Sequence, residues 1–184
     1  MAEIPWTTEA GETGLRGASP REGWLYQEFL SKLRGRQGVR VYREMAENDP
    51  LIGAVLQAYE MLLKSVQWVW TPSEESNEAR AVKDAIEQIF NRNMETTFGD
   101  VVEESLQMLP FGYMLMEIVL KKTQLDDGTE VIGVRKLAPR APDTLWRWHF
   151  DRNGGVLAAE QQLQFGSTVV LPMSKLLHFR TVSK

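Results

Sequence analysis

The chain of 184 residues is 43% hydrophobic and 25% charged, proportions of a globular protein; it is long enough for one cored domain with an appended arm and too short for two large domains. Its 21 basic and 25 acidic residues leave a formal charge of −4, which excludes a polycation that coats nucleic acid at large. The absence of cysteine excludes disulfides, thiolate nucleophiles and sulfur-built zinc sites. No apolar run approaches the roughly 20 residues of a membrane span, and the opening "MAEIPWTTEAGE" lacks the order of a signal peptide, so the expected compartment is the cytoplasm.

Residues 1–22 scatter Pro5, Gly11, Gly14, Gly17 and Pro20 among small and polar side chains without periodicity and read as a mobile N-terminal arm. Residues 23–184 form the domain. A short helical piece is expected across Trp24, Leu25, Gln27, Glu28, Phe29 and Leu33, broken by Gly35 and Gly38. Val39, Tyr42, Met45 and Ala46 suggest a second short helix ending near Asn48. In "NDPLIGAVLQAYEMLLKSV", Asp49 is the expected N-cap and Pro50 takes the first helical position, where a missing N–H costs nothing. Leu51, Ile52, Val55, Leu56, Tyr59, Leu62, Leu63 and Val66 then recur at helical spacing, which assigns this helix to the core.

The segment "SVQWVWTP" has the β-branched and aromatic content of a strand. Val82, Ile86, Ile89 and Phe90 mark an amphipathic helix over residues 76–93, and Phe98, Val101, Val102, Leu106 and Leu109 mark another that Pro110 and Gly112 interrupt. The period then changes to two. "GYMLMEIVLKKT" and "EVIGVRKLAP" flank Asp126, Asp127 and Gly128, the chemistry of a tight hairpin. In "TLWRWHFD", Trp146, Trp148 and Phe150 alternate with Leu145, Arg147, His149 and Asp151; Asn153, Gly154 and Gly155 permit a reversal into "VLAAEQQLQF", and "STVVLPMSKLLHFR" adds one or two short strands. Helices followed by antiparallel strands predict an α+β fold, with N-terminal amphipathic helices packed on an antiparallel sheet of hairpins.

No nucleophile elbow, phosphate loop or dinucleotide glycine triplet occurs, and no enzyme activity or cofactor is expected. His149 and His178 show no metal-ligand spacing and read as structural histidines. Glu117 interrupts an apolar strand. A base of raised pKa sharing a pocket with His149 is one reading, and a cross-hairpin pair with Lys136 or Arg135 is the favoured one. "LDDGTE" lacks the spaced oxygens of a calcium loop and reads as a turn. Trp146 and Trp148 suit sheet packing better than base stacking, since few basic residues surround them. The charge that is distributed unevenly is "KLRGRQGVRVYR", where Lys32, Arg34, Arg36, Arg40 and Arg43 occur without an acid, a candidate contact for a neighbouring subunit or for nucleic acid.

Three stretches, "LRGRQGVRVYREMAENDPLIGAVLQAYEMLLKSVQWVW", "MLPFGYMLMEIVLKK" and "RKLAPRAPDTLWRWHFDRNGGV", resemble in order and spacing the N-terminal part of bacteriophage portal proteins of the Mu-like branch. The resemblance spans residues 33–180 and rests on their succession, since none is a catalytic signature. It implies a structural virion component, assembled in the host bacterial cytoplasm as a ring of about twelve subunits at one capsid vertex with head-to-tail contacts. The implied partners are other copies of the chain, the major capsid protein, the terminase, the head-tail adaptor and the double-stranded DNA packaged and ejected through the channel. Portal chains normally continue into a stem, a clip and a crown. This one ends at Lys184, so it corresponds to a wing-like portion, as a fragment or as a short relative, and no channel residue is carried over. The arm of residues 1–22 is expected to order only in the ring. A stand-alone nucleic-acid-binding or protein-interaction module is the alternative.

Overall fold

The structure, a computed structural model, describes residues 29–151 and 155–181. The expected arm, most of the helical piece around Trp24 and the glycine reversal at residues 153–154 lie outside the described residues. Ser31–Leu33 makes one 3-10 turn, and helix α1 follows as Gly35–Asn48. Of the two glycines expected to break the first helical piece, Gly35 does separate the 3-10 turn from α1, whereas Gly38 lies inside α1 and does not break it. Gly35, at φ 51°, turns the chain into the helix, and Gly38 is buried inside it because a Cβ there would stand 2.3 Å from the Leu33 carbonyl oxygen. That close approach lets the 3-10 turn fold back onto α1.

A single residue joins α1 to helix α2, Pro50–Lys64. The Asp49 N–H closes α1 on the Met45 carbonyl at 3.1 Å, while its carboxylate accepts from the N–H groups of Leu51 and Ile52 at 2.9 and 3.2 Å. The predicted cap and first-position proline are therefore present. The assignment of α2 to the core is corrected, because none of its residues is buried. Its apolar residues extend around more than one face; Ile52, Leu56 and Leu63 are half-buried on the side facing its packing neighbours, and Leu51, Val55, Tyr59 and Leu62 face solvent.

The strand expected in "SVQWVWTP" is also corrected: residues 67–72 form no regular element and join neither sheet of the described residues. Aromatic packing holds them instead. The rings of Trp70 and Phe90 lie 5.2 Å apart, and Trp68 and Trp70 each meet Phe98 edge-on at 5.8 and 5.9 Å. Phe90 and Phe98 come from the next two helical segments. Helix α3, Asn77–Gln88, is capped by the Ser76 hydroxyl and runs into a π-turn at Ile89–Asn93; helix α4, Phe98–Ser105, opens with a reciprocal Thr97–Asp100 capping box. The one-turn helix α5, Met108–Phe111, stops at Gly112, whose φ of 80° ends it in the left-handed region.

Six strands follow: β1 Tyr113–Gln124, β2 Glu130–Arg140, β3 Leu145–Phe150, β4 Val156–Gln162, β5 Thr168–Pro172 and β6 Leu176–Arg180. They form two antiparallel sheets rather than one, in the orders β2-β1-β6 and β3-β4-β5. Alternation along β1 explains the layering. Leu115, with Leu176 of β6, faces Ala159 and Leu171 of the second sheet; Met116, with Leu137 of β2, faces Val101 of α4. The first sheet thus has a helix on one face and a sheet on the other. That is why Met114, Leu115 and Met116, consecutive in sequence, are all fully buried. The fold is α+β, as expected.

Candidate functional site

The basic stretch lies along the 3-10 turn and the first three turns of α1. Helical spacing brings Arg36, Arg40 and Arg43 towards one side of α1, yet the structure gives them different surroundings. Arg36 donates to the Gln162 side-chain oxygen at the end of β4. Arg43 donates to the Asp143 carboxylate at 3.2 Å, and its guanidinium lies 5.8 Å from the centre of the Phe111 ring. Arg34 donates to the Phe29 carbonyl at 3.3 Å. Lys32 and Arg40 are exposed and form no ion pair among the described residues. Two of the five cations therefore fasten α1 to the second sheet and its lead-in turn.

The β3 cluster is resolved into two faces. On one, Trp148 stacks on His178 of β6 with ring centroids 5.4 Å apart, and Tyr113 meets Trp148 edge-on at 5.5 Å. The Tyr113 hydroxyl donates to the Pro142 carbonyl at 3.3 Å, and burial raises its pKa. Burial, followed by the nearby Arg180 charge, lowers the pKa of His178. Trp148 is a packing residue, as expected, whereas Trp146, at the register shift between Leu145 and Arg147, is exposed.

On the opposite face, Arg147 Nε donates to Glu160 at 2.5 Å and His149 Nε2 lies 3.0 Å from the same oxygen. Glu160 is buried on β4, directly across from Arg147 in the strand register. Its pKa is lowered to about 2, first by the Arg147 hydrogen bond, then by the Thr168 hydroxyl. Sequence reasoning missed this carboxylate. The signal was an acid inside "VLAAEQQ", in the strand that returns beside Arg147 and His149.

Glu117 pairs across the hairpin, but with Arg140 and not with Lys136 or Arg135. In the β1–β2 register Glu117 faces Ala138, so Lys136 and Arg140 are both diagonal neighbours, and Arg135 is occupied by Glu95 at 2.6 Å. Glu117 and His149 are thus committed to different partners, and the shared pocket considered for them is not seen. In the β1–β2 turn, Asp127 accepts from the Thr129 N–H at 2.9 Å and Asp126 pairs with Arg92 at 2.9 Å, the geometry of a stapled turn.

The family model described as the portal protein of Mu bacteriophage matches residues 39–184. The chain belongs to this portal family. No curated protein matches it. The portal match begins at Val39, the first buried hydrophobic residue of α1, and runs through all six strands, so it covers both sheets and every helix after the first turn of α1. Of the basic stretch, Arg40 and Arg43 fall inside the portal match and Lys32, Arg34 and Arg36 precede it. A portal protein is a structural virion component, and among the described residues no helix is long and apolar enough to cross a membrane.

Proposed function

We propose that this portal chain is a subunit of a closed ring at one capsid vertex through which double-stranded DNA is packaged and ejected. The match of the Mu portal family over residues 39–184 is the observation that carries the reading. In the complete assembly the partners are about eleven further copies in a head-to-tail ring, the major capsid protein around it, the terminase that drives packaging and the head-tail adaptor that replaces it. Assembly takes place in the cytoplasm of the host bacterium. The role is structural, and the wing-like part of the subunit is what residues 23–184 supply.

Lys32 and Arg40 are proposed as the contact charges of the basic stretch, with Arg34, Arg36 and Arg43 fixing the surface that presents them. Their exposure supports this division of labour. A net charge of −4 favours an acidic patch of a neighbouring subunit over phosphate as their partner. Native mass spectrometry of the protein from its natural source tests the ring directly. A large closed multimer is expected, and a strictly monomeric protein overturns the reading. Charge reversal of Lys32 and Arg40 together is expected to weaken assembly, whereas a matching loss of salt-sensitive DNA binding would reassign them to nucleic acid.

A further inference from the structure

Helix α2 is about 22 Å long by its 15 residues, and one side of it is bare. Leu51, Val55, Tyr59 and Leu62 follow one another at spacings of four, four and three and are 75%, 48%, 55% and 64% exposed. Val66, just past the helix, prolongs the line. The only charges within Pro50–Lys64 are Glu60 and Lys64, and Lys64 is paired with Glu103 of α4. A helix without a cationic polar face does not suit a lipid surface or phosphate. A contiguous apolar line of this length is the mark of a protein contact.

A second bare apolar patch sits on the other sheet. Leu163, Phe165 and Val170, on the β4–β5 connection and β5, are exposed, and residues 163–170 contain no charge. Phe165 is the only non-glycine residue at positive φ among the described residues, at 65°, and its side chain is fully exposed. A bulky residue held in the left-handed region with nothing to pack on is strain without local compensation. The two patches are unlike, one a helix line and the other a loop with a projecting ring, and each is left bare by the described residues.

We propose that the α2 line receives the β4–β5 loop of a second copy of this chain, with Phe165 inserted among Val55, Tyr59 and Leu62. Pairing α2 with α2 would leave the loops bare, whereas pairing the unlike patches covers both and leaves one of each for the next copy. That is a head-to-tail contact, able to propagate, and it rests on the portal reading for its closure into a ring. Uncharged surfaces also let copies of net charge −4 meet without placing like charges opposite one another.

The lack of cysteine makes the test clean. V55C and F165C proteins, one carrying a mass tag, are mixed and oxidised. The mixed 55–165 disulfide is expected to exceed the 55–55 and 165–165 products by about tenfold and to fall to background when Tyr59→Glu is added to the V55C protein, as loss of an interface anchor requires. Both substituted side chains are exposed, so neither variant threatens the fold. A dominant 55–55 product, or a yield no greater than that of a Q57C control, overturns the proposal. So does a V55C thiol shielded from maleimide in the monomer, which would mean that the chain covers its own α2. Rings recovered from virions without the mixed disulfide overturn this pairing and leave the portal reading intact. The mixed disulfide in a protein that forms only open polymers does the reverse.

Discussion

The indole of Trp148 stacks on the imidazole of His178 at 5.4 Å with the ring planes 29° apart, and this contact joins β3 of one sheet to β6 of the other. Leu115 faces His178 in the register of the first sheet, and Tyr113 flanks both rings, so the stack sits at the edge of the inter-sheet core. Trp148→Ala is therefore expected to lower the unfolding free energy by about 3 kcal/mol, while Trp146→Ala, at an exposed position beside the register shift, costs about 1 kcal/mol or less. Urea denaturation of the two variants separates these outcomes, and equal losses would contradict the placement of the rings.

Stability should fall with acid in two stages. His178 has a folded pKa below 6.5, so the folded chain prefers the neutral ring; its contribution is whole above pH 6.5 and declines as pH falls below it. Glu160 is lowered from 4.5 to about 2, so its contribution is whole above pH 4.5 and is lost as pH falls from there towards 2. Calorimetric Tm measured against pH is expected to lose the first stage in His178→Phe and the second in Glu160→Gln. A second stage unchanged in Glu160→Gln would show that the carboxylate is not held by Arg147 and Thr168.

Gly38→Ala puts a preferred helix former into α1, which in an open helix would stabilise by about 1 kcal/mol. Here the new Cβ would meet backbone at 2.3 Å, so the expected result is a loss of about 1–3 kcal/mol through forced displacement of the 3-10 turn. Gln37→Ala, one residue earlier and exposed, is the control and should be neutral. Thermal unfolding of the pair decides the matter.

Glu117 and Arg140 are each about three-quarters buried, at 24% and 26% side-chain exposure, and a double-mutant cycle between them should give a coupling of about 1 kcal/mol. Lys136, one of the two partners expected from the sequence, should give none. A coupling to Lys136 instead would overturn the diagonal pairing.

Local signals were well written in the sequence. Asp49 and Pro50, Ser76, and Thr97 with Asp100 started helices where their chemistry required, and Asp126 to Gly128 turned the hairpin. What periodicity could not supply was the supply of partners. The line on α2 reads as core from its spacing, but burial depends on what lies opposite, and the described residues leave that side of it open. "SVQWVWTP" has strand composition and no edge to join, so its tryptophans pack against Phe90 and Phe98 instead. Gly38 looked like a breaker because its close neighbour Leu33 belongs to a turn that sequence spacing does not reveal. Glu160 was hidden because pairing between β3 and β4 depends on bulges that shift the register. The five cations were legible as a group, but their division between internal fastening and solvent followed from where Gln162 and Asp143 come to lie.

Asp49 belongs to two helices at once, completing α1 with its N–H and opening α2 with its carboxylate. No slack separates the bare helix from the one that Arg43 and Arg36 anchor to the second sheet. A load applied to α2 from outside is then not absorbed by a loop. It is carried around a stiff elbow into α1 and on to the turn that leads into β3, so a push at the surface arrives at the edge of the sheet core as a torque.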